Sequence, residues 1–168
     1  MDWLALTRSY SVWDEAQIRG FFGEYRWLSN FEPAVVCFNG HQFLCVEAAY
    51  QAQKDRKRVN EFEHLNGKES KKLGKQVAMV DNWEQIKYDI MAYCVFDKFY
   101  RNPQLHEKLL ATGDRYLEET NHWNDMYWGV DYRTNLGQNK LGAILMLVRA
   151  FWQAKHLPNR PLNEGIPS

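Results

Sequence analysis

Two short apolar runs, residues 34–38 and 41–45, flank the pair Asn39-Gly40. Both central residues of a type I′ turn need a positive φ, which asparagine and glycine adopt at little cost. The pattern therefore predicts a β-hairpin whose strands are joined by a two-residue turn. We therefore expect a small antiparallel sheet over residues 34–45.

Helical patterns cover most of the remaining sequence. Five segments have the composition or periodicity of helices: residues 46–57, 68–79, 83–100, 104–111 and 141–153. In the third helix, the side chains of Ile86, Ile90, Tyr93 and Cys94 are predicted to face the interior, and Pro103 is expected to stop it. The last segment is apolar almost all round and is expected to be a central buried helix. We therefore predict an α+β fold, predominantly helical, with the hairpin and one or two further strands.

The length of 168 residues suits one domain with a hydrophobic core. We expect that core over about residues 20–153, with an extended N-terminal segment and a C-terminal tail. Hydrophobic residues make up 45% of the chain, a composition that excludes disorder. No apolar run reaches the roughly 18 residues of a membrane span, and the N-terminus lacks the pattern of a secretory signal. These features predict a cytoplasmic protein without membrane contact.

The charge balance argues against a protein that binds mainly to nucleic-acid phosphates. The 21 Lys and Arg residues balance 21 Asp and Glu residues, so the basic stripe typical of such proteins is missing. Residues 54–75 nevertheless hold eight basic and four acidic side chains. This basic patch is either a solvated helical surface or an anion-binding face that contacts a modified nucleic acid. The cysteines and histidines lack ligand spacing, so we expect no metal and no cofactor.

Glu47 directly follows a predicted buried strand and stands in the first turn of a predicted helix. Two interpretations are open: a charge that favours the helix N-terminus, or a site carboxylate with Gln51 and Lys54 on the same helical stripe. Apolar neighbours would raise the pKa of Glu47 by desolvation, whereas Lys54 would oppose that rise. A carboxyl group with a raised pKa is a candidate for acid–base catalysis.

Polar residues interrupt apolar or aromatic sequence in two further places. Ser29 and Asn30 lie within an aromatic-rich run, either as tolerated residues of a strand or as groups that face a ligand. Asp125 lies in the irregular, glycine-containing segment 122–142, and long segments of this kind often carry function. The end of that segment, residues 137–142, leads into a helix N-terminus, which favours anions.

Two bulky side chains have open roles as well. Trp83 is either an apolar residue that opens its helix or a stacking platform for a base or ribose. Arg149 lies on an otherwise apolar helix and needs a partner there, either an internal carboxylate or a ligand phosphate.

Ordered motifs across residues 20–152 carry a resemblance to a known family. They are Phe21-Phe22-Gly23, Trp27-Leu28-Ser29-Asn30-Phe31-Glu32-Pro33, Val46-Glu47 with Ala49-Tyr50-Gln51-Ala52-Gln53-Lys54, Asn82-Trp83 with Lys87 and Met91, Asn124-Asp125 with Tyr127-Trp128-Gly129, and Gly137, Asn139, Leu141, Gly142, Leu145, Met146 and Arg149. The sequence resembles the NADAR family, the YbiA-like proteins. The resemblance implies an N-glycosidase that acts on phosphorylated riboflavin-pathway intermediates or removes ADP-ribose from guanine in nucleic acid. A catalytically silent module that binds ADP-ribose is the alternative.

The resemblance also implies functional roles for Glu47, Trp83 and Asp125, which we expect to be the catalytic residues. We expect the substrate to be bound by Ser29, Asn30, Phe31, Gln51, Lys54, Trp128, Gly129, Asn139 and Arg149. Many family members carry a histidine after the glutamate, where this chain has Ala48. Breaking an N-glycosidic bond builds positive charge at C1 and negative charge on the leaving nitrogen, so one carboxylate near the sugar and one acid are expected. Which carboxyl group takes which role stays open at this point.

Overall fold

The computed structural model of the chain describes residues 16–156. The predicted C-terminal tail and most of the predicted N-terminal segment lie outside the described residues. The helices are α1 (Val46–Ala52), α2 (Gly67–Leu73), α3 (Trp83–Arg101), α4 (Pro103–Ala111) and α5 (Lys140–His156), and 3-10 helices cover Gly23–Leu28 and Arg56–Phe62. The strands are β1 (Gln17–Arg19), β2 (Val36–Phe38), β3 (His41–Phe43), β4 (Tyr116–Glu118), β5 (Thr120–Asn121) and β6 (Val130–Asp131). The predicted α+β class with predominant helix is confirmed.

The predicted hairpin is present as the antiparallel pair β2–β3. Val36 pairs with Phe43 and Phe38 with His41, so Asn39 and Gly40 form the two-residue turn. Their φ angles of 48° and 84° lie in the left-handed region that a type I′ turn requires. The hairpin packs against α1 and α3 and thereby forms one wall of the core.

Two parallel strand pairs complete the sheet structure of the described residues. Strand β1 pairs with β4, and β5 pairs with β6. Glu119 is the single residue between β4 and β5, so the two pairs meet at this position. We expected one or two strands beyond the hairpin, but segments of two or three residues with distant partners leave no period in the sequence.

The predicted helices are all present, although two are shorter than expected. Helix α1 ends at Ala52 rather than near residue 57, because the chain turns into a 3-10 helix that the Asp55 side chain caps. Helix α2 begins after a capping box of Asn66 and Glu69 and ends at Leu73 rather than near residue 79. Pro103 separates α3 from α4 as predicted, and it occupies the first turn of α4.

The core lies between α1, α3, α5 and the strands. Leu145 of α5 and Cys94 of α3 are fully buried there. The prediction that α5 is buried on all sides is wrong, because α3, α4 and β4 cover one side and leave Leu147 and Phe151 exposed. Tyr93 was expected to face inward, but it is exposed and packs edge-on against Phe38 of the hairpin. Within residues 16–156, the structure contains no helix that is both long and apolar enough to cross a membrane.

Candidate functional site

A cleft of about 260 Å³ opens between α1, α2, the loop after the first 3-10 helix and the segment 119–128. Its lining residues are Ser29, Asn30, Phe31, Glu47, Tyr50, Gln51, Lys54, Lys71, Met91, Glu119, Asn121, Trp123, Asp125, Trp128 and Leu141. Most of the expected site residues are therefore brought together, although they come from segments about a hundred positions apart. The exceptions are Trp83, Gly129, Asn139 and Arg149.

Glu47 lies in the first turn of α1 and is 7% exposed. The Nε2 group of Gln51, one turn later, donates a 2.9 Å hydrogen bond to Glu47 Oε1. Burial raises the pKa of Glu47, and the bond from Gln51 and the charges of Lys71 and Lys54 only partly oppose this. Burial therefore outweighs the charge of Lys54 in its effect on the pKa of Glu47. A buried carboxyl group, held in one orientation and open to a cleft, suits a proton acceptor.

The residues Ser29 and Asn30 form a turn at the cleft and do not belong to a strand. The backbone N–H of Glu47 donates to the carbonyl of Asn30 at 3.0 Å, which ties this turn to α1. Lys98 holds this turn in place, because its Nζ donates to the carbonyls of Trp27 at 2.8 Å and Ser29 at 2.9 Å. Burial lowers the pKa of Lys98 to about 7.

Lys98 was not among the predicted site residues, although the sequence carries a signal for it. Lys98 lies four residues after Cys94 and eight after Ile90, so it belongs to the predicted inner face of α3. A lysine on a buried helical face needs hydrogen-bond acceptors, and carbonyl groups of an irregular loop are suitable ones.

Asp125 lines the cleft and also shapes the loop that carries Trp128. Its Oδ1 accepts hydrogen bonds from the backbone N–H groups of Tyr127 at 3.2 Å and Trp128 at 2.9 Å. The Asn121 side chain accepts in turn from the N–H of Asp125 at 3.0 Å. Asp125 is therefore held in place by backbone donors of the loop that it orders.

Glu119 also lines the cleft, and it too was absent from the predicted site residues. It is half-buried, and burial raises its pKa to about 8, with further contributions from the charges of Asp125 and Glu47. No sequence pattern distinguishes Glu119 from Glu118. Only the tertiary structure decides that the side chain of Glu119 lines the cleft and that of Glu118 pairs with Arg19.

Two lysines of the basic patch, residues 54–75, reach the cleft. Lys54 donates weakly to the carbonyl of Gly74 at 3.4 Å, and burial lowers its pKa. The Nζ atom of Lys71 lies 5.7 Å from the ring centre of Phe31 and 5.9 Å from that of Trp123. Positive charge between aromatic rings suits an anionic ligand with a flat group. In the described part of the chain, no three His, Cys, Asp or Glu side chains form a group that could hold a metal ion.

Trp83 was expected among the catalytic residues and Arg149 among the substrate-binding ones, but neither is among the residues that line the cleft. Trp83 is 4% exposed and packs against Tyr50 with ring centres 5.0 Å apart, so it supports the cleft wall. Arg149 Nη1 donates to Thr112 Oγ1 and to the carbonyl of Arg115, each at 2.8 Å. Arg149 thus uses neither of the partners that the sequence suggested, because a hydroxyl and a carbonyl supply its acceptors.

Asn139 and Gly129 also lie outside the cleft lining, and both hold the backbone around Glu119. Asn139 Oδ1 accepts from the N–H of Glu119 at 3.0 Å, while its Nδ2 donates to the carbonyl of Leu117 at 2.9 Å. A β-carbon at Gly129 would collide with the carbonyl oxygen of Glu119. These residues shape the site and do not line it.

Known proteins match this chain over most of its length. The NADAR domain family matches residues 13–152. The N-glycosidase YbiA of Escherichia coli (strain K12) is 31% identical over 131 residues, which are 75% of this chain and 81% of that protein. An N-glycosidase of Nostoc punctiforme is 31% identical over 148 residues, which are 83% of this chain and 88% of that protein.

A riboflavin biosynthesis protein of Vibrio vulnificus is 35% identical over 136 residues, or 78% of this chain. The chain matches only 36% of the length of that longer relative. The NMR structure of Escherichia coli YbiA has the same fold, with a TM-score of 0.76 at 28% identity over 91% of this chain and 94% of that one. The sequence match and the shared fold agree, so the chain belongs to the NADAR domain family, a family of N-glycosidases.

Proposed function

We propose that this protein hydrolyses the N-glycosidic bond of a phosphorylated ribosyl compound, with Glu47 as the carboxylate beside the sugar. The observation that carries the proposal is the buried Glu47 side chain, held by Gln51 in a cleft that also contains Lys54 and Lys71. The same cleft therefore offers a proton acceptor and positive charge for a phosphate.

The chemistry of the bond explains why Glu47 suits this role. The transition state carries positive charge at C1, which a nearby carboxylate stabilises, and a water molecule has to lose a proton as it attacks. The desolvated Glu47 carboxylate is a better base than a solvent-exposed one, because its pKa is raised. Asp125, which also lines the cleft, is suited to accept hydrogen bonds from ribose hydroxyl groups.

The cleft favours a compact substrate. At about 260 Å³ it lies near the lower end of small-molecule sites, enough for a ribose phosphate and part of a base. Two substrate classes fit the family: phosphorylated riboflavin-pathway intermediates, in line with the name of the Vibrio vulnificus relative, and ADP-ribose attached to guanine. In the second case the rest of the nucleotide would lie outside the cleft, where further lysines of the basic patch could contact a modified strand. We propose that the protein acts in the cytoplasm.

Product release tests the proposal. The purified protein is incubated with phosphorylated riboflavin-pathway intermediates and, separately, with ADP-ribosylated guanosine, and the freed sugar phosphate or ADP-ribose is quantified by liquid chromatography and mass spectrometry. We expect turnover of at least one class. Binding of ADP-ribose without release from either class would instead identify a silent binding module. A steep loss of activity with added salt only on a modified DNA strand would assign the basic patch to nucleic-acid contact.

A further inference from the structure

Glu119 combines features that no other carboxyl group of the cleft has. Its Oε2 atom is buried, and it has no hydrogen-bond partner among residues 16–156. A buried carboxyl oxygen without a partner is costly, and groups of this kind are uncommon in folded proteins unless they meet a ligand. The side chain lines the cleft, so a bound substrate could supply the missing partner.

The backbone of Glu119 is fixed on both sides. Its N–H donates to Asn139 Oδ1 at 3.0 Å, and its carbonyl accepts from the N–H of Val130 at 2.9 Å. Gly129 leaves room for the backbone of Glu119, because a side chain there would press on the carbonyl and Cγ of Glu119. Asn139 and Gly129 thus fix the backbone that carries the Glu119 carboxyl group at the cleft.

The surroundings of Glu119 favour its protonated form. Burial raises its pKa to about 8, Asp125 and Glu47 add to the rise, and the charges of Lys71 and Lys98 oppose it. Glu47 differs, because the Gln51 amide donates a hydrogen bond to it and the charges of Lys71 and Lys54 also favour its charged form. The cleft therefore holds carboxyl groups in different surroundings, and such a difference allows one of them to act as the acid and another as the base.

We propose that Glu119 is the general acid of the reaction, which protonates the leaving nitrogen while Glu47 acts as the base. This role rests on the proposed N-glycosidase function. The bond between C1 and nitrogen breaks, its electron pair goes to nitrogen, and the Glu119 O–H supplies a proton to that nitrogen. A water oxygen bonds to C1, and one water proton passes to the Glu47 carboxylate. Solvent then reprotonates Glu119 and takes the proton from Glu47, so that the cycle closes.

The test compares Glu119→Gln with Glu118→Gln. Glutamine keeps the size of Glu119 but cannot deliver a proton, whereas Glu118 is the adjacent strand residue, paired with Arg19 rather than with the cleft. On whichever class the wild type turns over, we expect kcat of Glu119→Gln to fall about 100- to 10,000-fold. Glu118→Gln is expected to stay within about threefold, after correction for any change in Tm.

Two further measurements separate an acid from a structural residue. Wild-type kcat is expected to fall as pH rises through about 8, and the residual activity of Glu119→Gln should lack this decline. A probe with the same ribosyl group on nicotinamide has a leaving nitrogen that departs without a proton, so on it Glu119→Gln should lose less than about threefold.

Retention of both the rate and the alkaline decline in Glu119→Gln would overturn the assignment and leave the proposed function intact. An equal loss on both leaving groups would also overturn it, since a positioning defect does not depend on the leaving group. Absence of wild-type turnover on every ribosyl substrate would instead overturn the proposed function.

Discussion

The hairpin β2–β3 and the junction of β4 with β5 are both built from strands of two or three residues, yet they are held in different ways. The hairpin pairs neighbours along the chain around Asn39-Gly40. The junction depends on strand pairing between residues far apart in the sequence, such as Ile18 with Leu117, 99 positions apart. Local turn chemistry is sufficient for a scaffold, whereas only distant pairing can bring a buried carboxyl group to a cleft formed by other segments.

The two regions also differ in how their polar groups are satisfied. The hairpin buries the apolar side chains of Val36 and Phe43 completely. The junction instead carries Glu119, whose Oε2 lacks a partner among the described residues. Burial of apolar side chains in the hairpin thus stabilises the fold, whereas the unpaired Oε2 of Glu119 at the junction costs free energy that a bound ligand can offset. Substitutions in the cleft, the junction and the hairpin are therefore expected to change different quantities.

Glu47→Gln is expected to have the largest effect, and the effect is on rate. Glutamine keeps the hydrogen-bonding reach but cannot accept the proton, so kcat should fall about 100- to 10,000-fold while ADP-ribose affinity changes little. The readouts are turnover, calorimetric affinity and Tm. Glu84→Gln is the matched control, because Glu84 also lies in the first turn of a helix but outside the cleft. Turnover within a few-fold of the wild type would make Glu47 a helix charge, worth about 0.3–1 kcal/mol.

Asn139→Gly tests the junction. Asn139 has a φ of 47°, which glycine adopts readily, so the substitution removes the side-chain hydrogen bonds without straining the backbone. Each buried group left unpaired should cost about 1–3 kcal/mol of unfolding free energy, and kcat should fall because Glu119 loses its backbone anchor. The matched hairpin control is Asn39→Gly, with a φ of 48°; it should alter neither quantity appreciably. Equal effects of the two substitutions in urea unfolding and turnover would contradict the distinction between the regions.

Lys98→Met should weaken the turn that carries Ser29 and Asn30. It leaves the carbonyls of Trp27 and Ser29 without their donor, at a cost of about 1–3 kcal/mol for each buried group. Because the folded pKa is lowered to about 7 from the ordinary 10.5, the contribution of Lys98 to stability is full above 10.5 and is lost progressively as pH falls towards and through about 7. The difference in Tm between the wild type and Lys98→Met should therefore grow from pH 6 to pH 9. A constant difference would show that Lys98 keeps one charge state over this range.

Gly40→Ala should have the smallest effect, restricted to stability. Its φ of 84° lies in the left-handed region, where a β-carbon costs roughly 1–2 kcal/mol. No neighbour lies within 4 Å of that β-carbon, so the cost is conformational alone. We expect a lower Tm with unchanged kcat at 25 °C. Loss of turnover in the folded variant would mean that the hairpin controls the cleft, and the two regions would then not have separate roles.

The candidate site was predictable where its residues stand close together in the sequence. Glu47 and Gln51 share a helical stripe, and their hydrogen bond at i, i+4 follows from that spacing. Glu119 was missed because it stands between two strands that are too short to show a period. Lys98 was missed because only the apolar residues of its helical face were used to predict that face. Asn139 and Gly129 were expected to touch substrate, but they contact the residue that does line the cleft.

The sequence by itself determined the α+β class, the hairpin and the order of the helices, because turn chemistry and periodicity act over a few neighbouring residues. It also singled out Glu47 and Asp125 as polar residues in apolar surroundings. Only the tertiary structure decided which carboxyl groups share the cleft and how deeply each is buried. Proton affinity depends on burial and on charges from distant segments, so the raised pKa of Glu119 follows from the meeting of β4, β5 and α1 at the cleft.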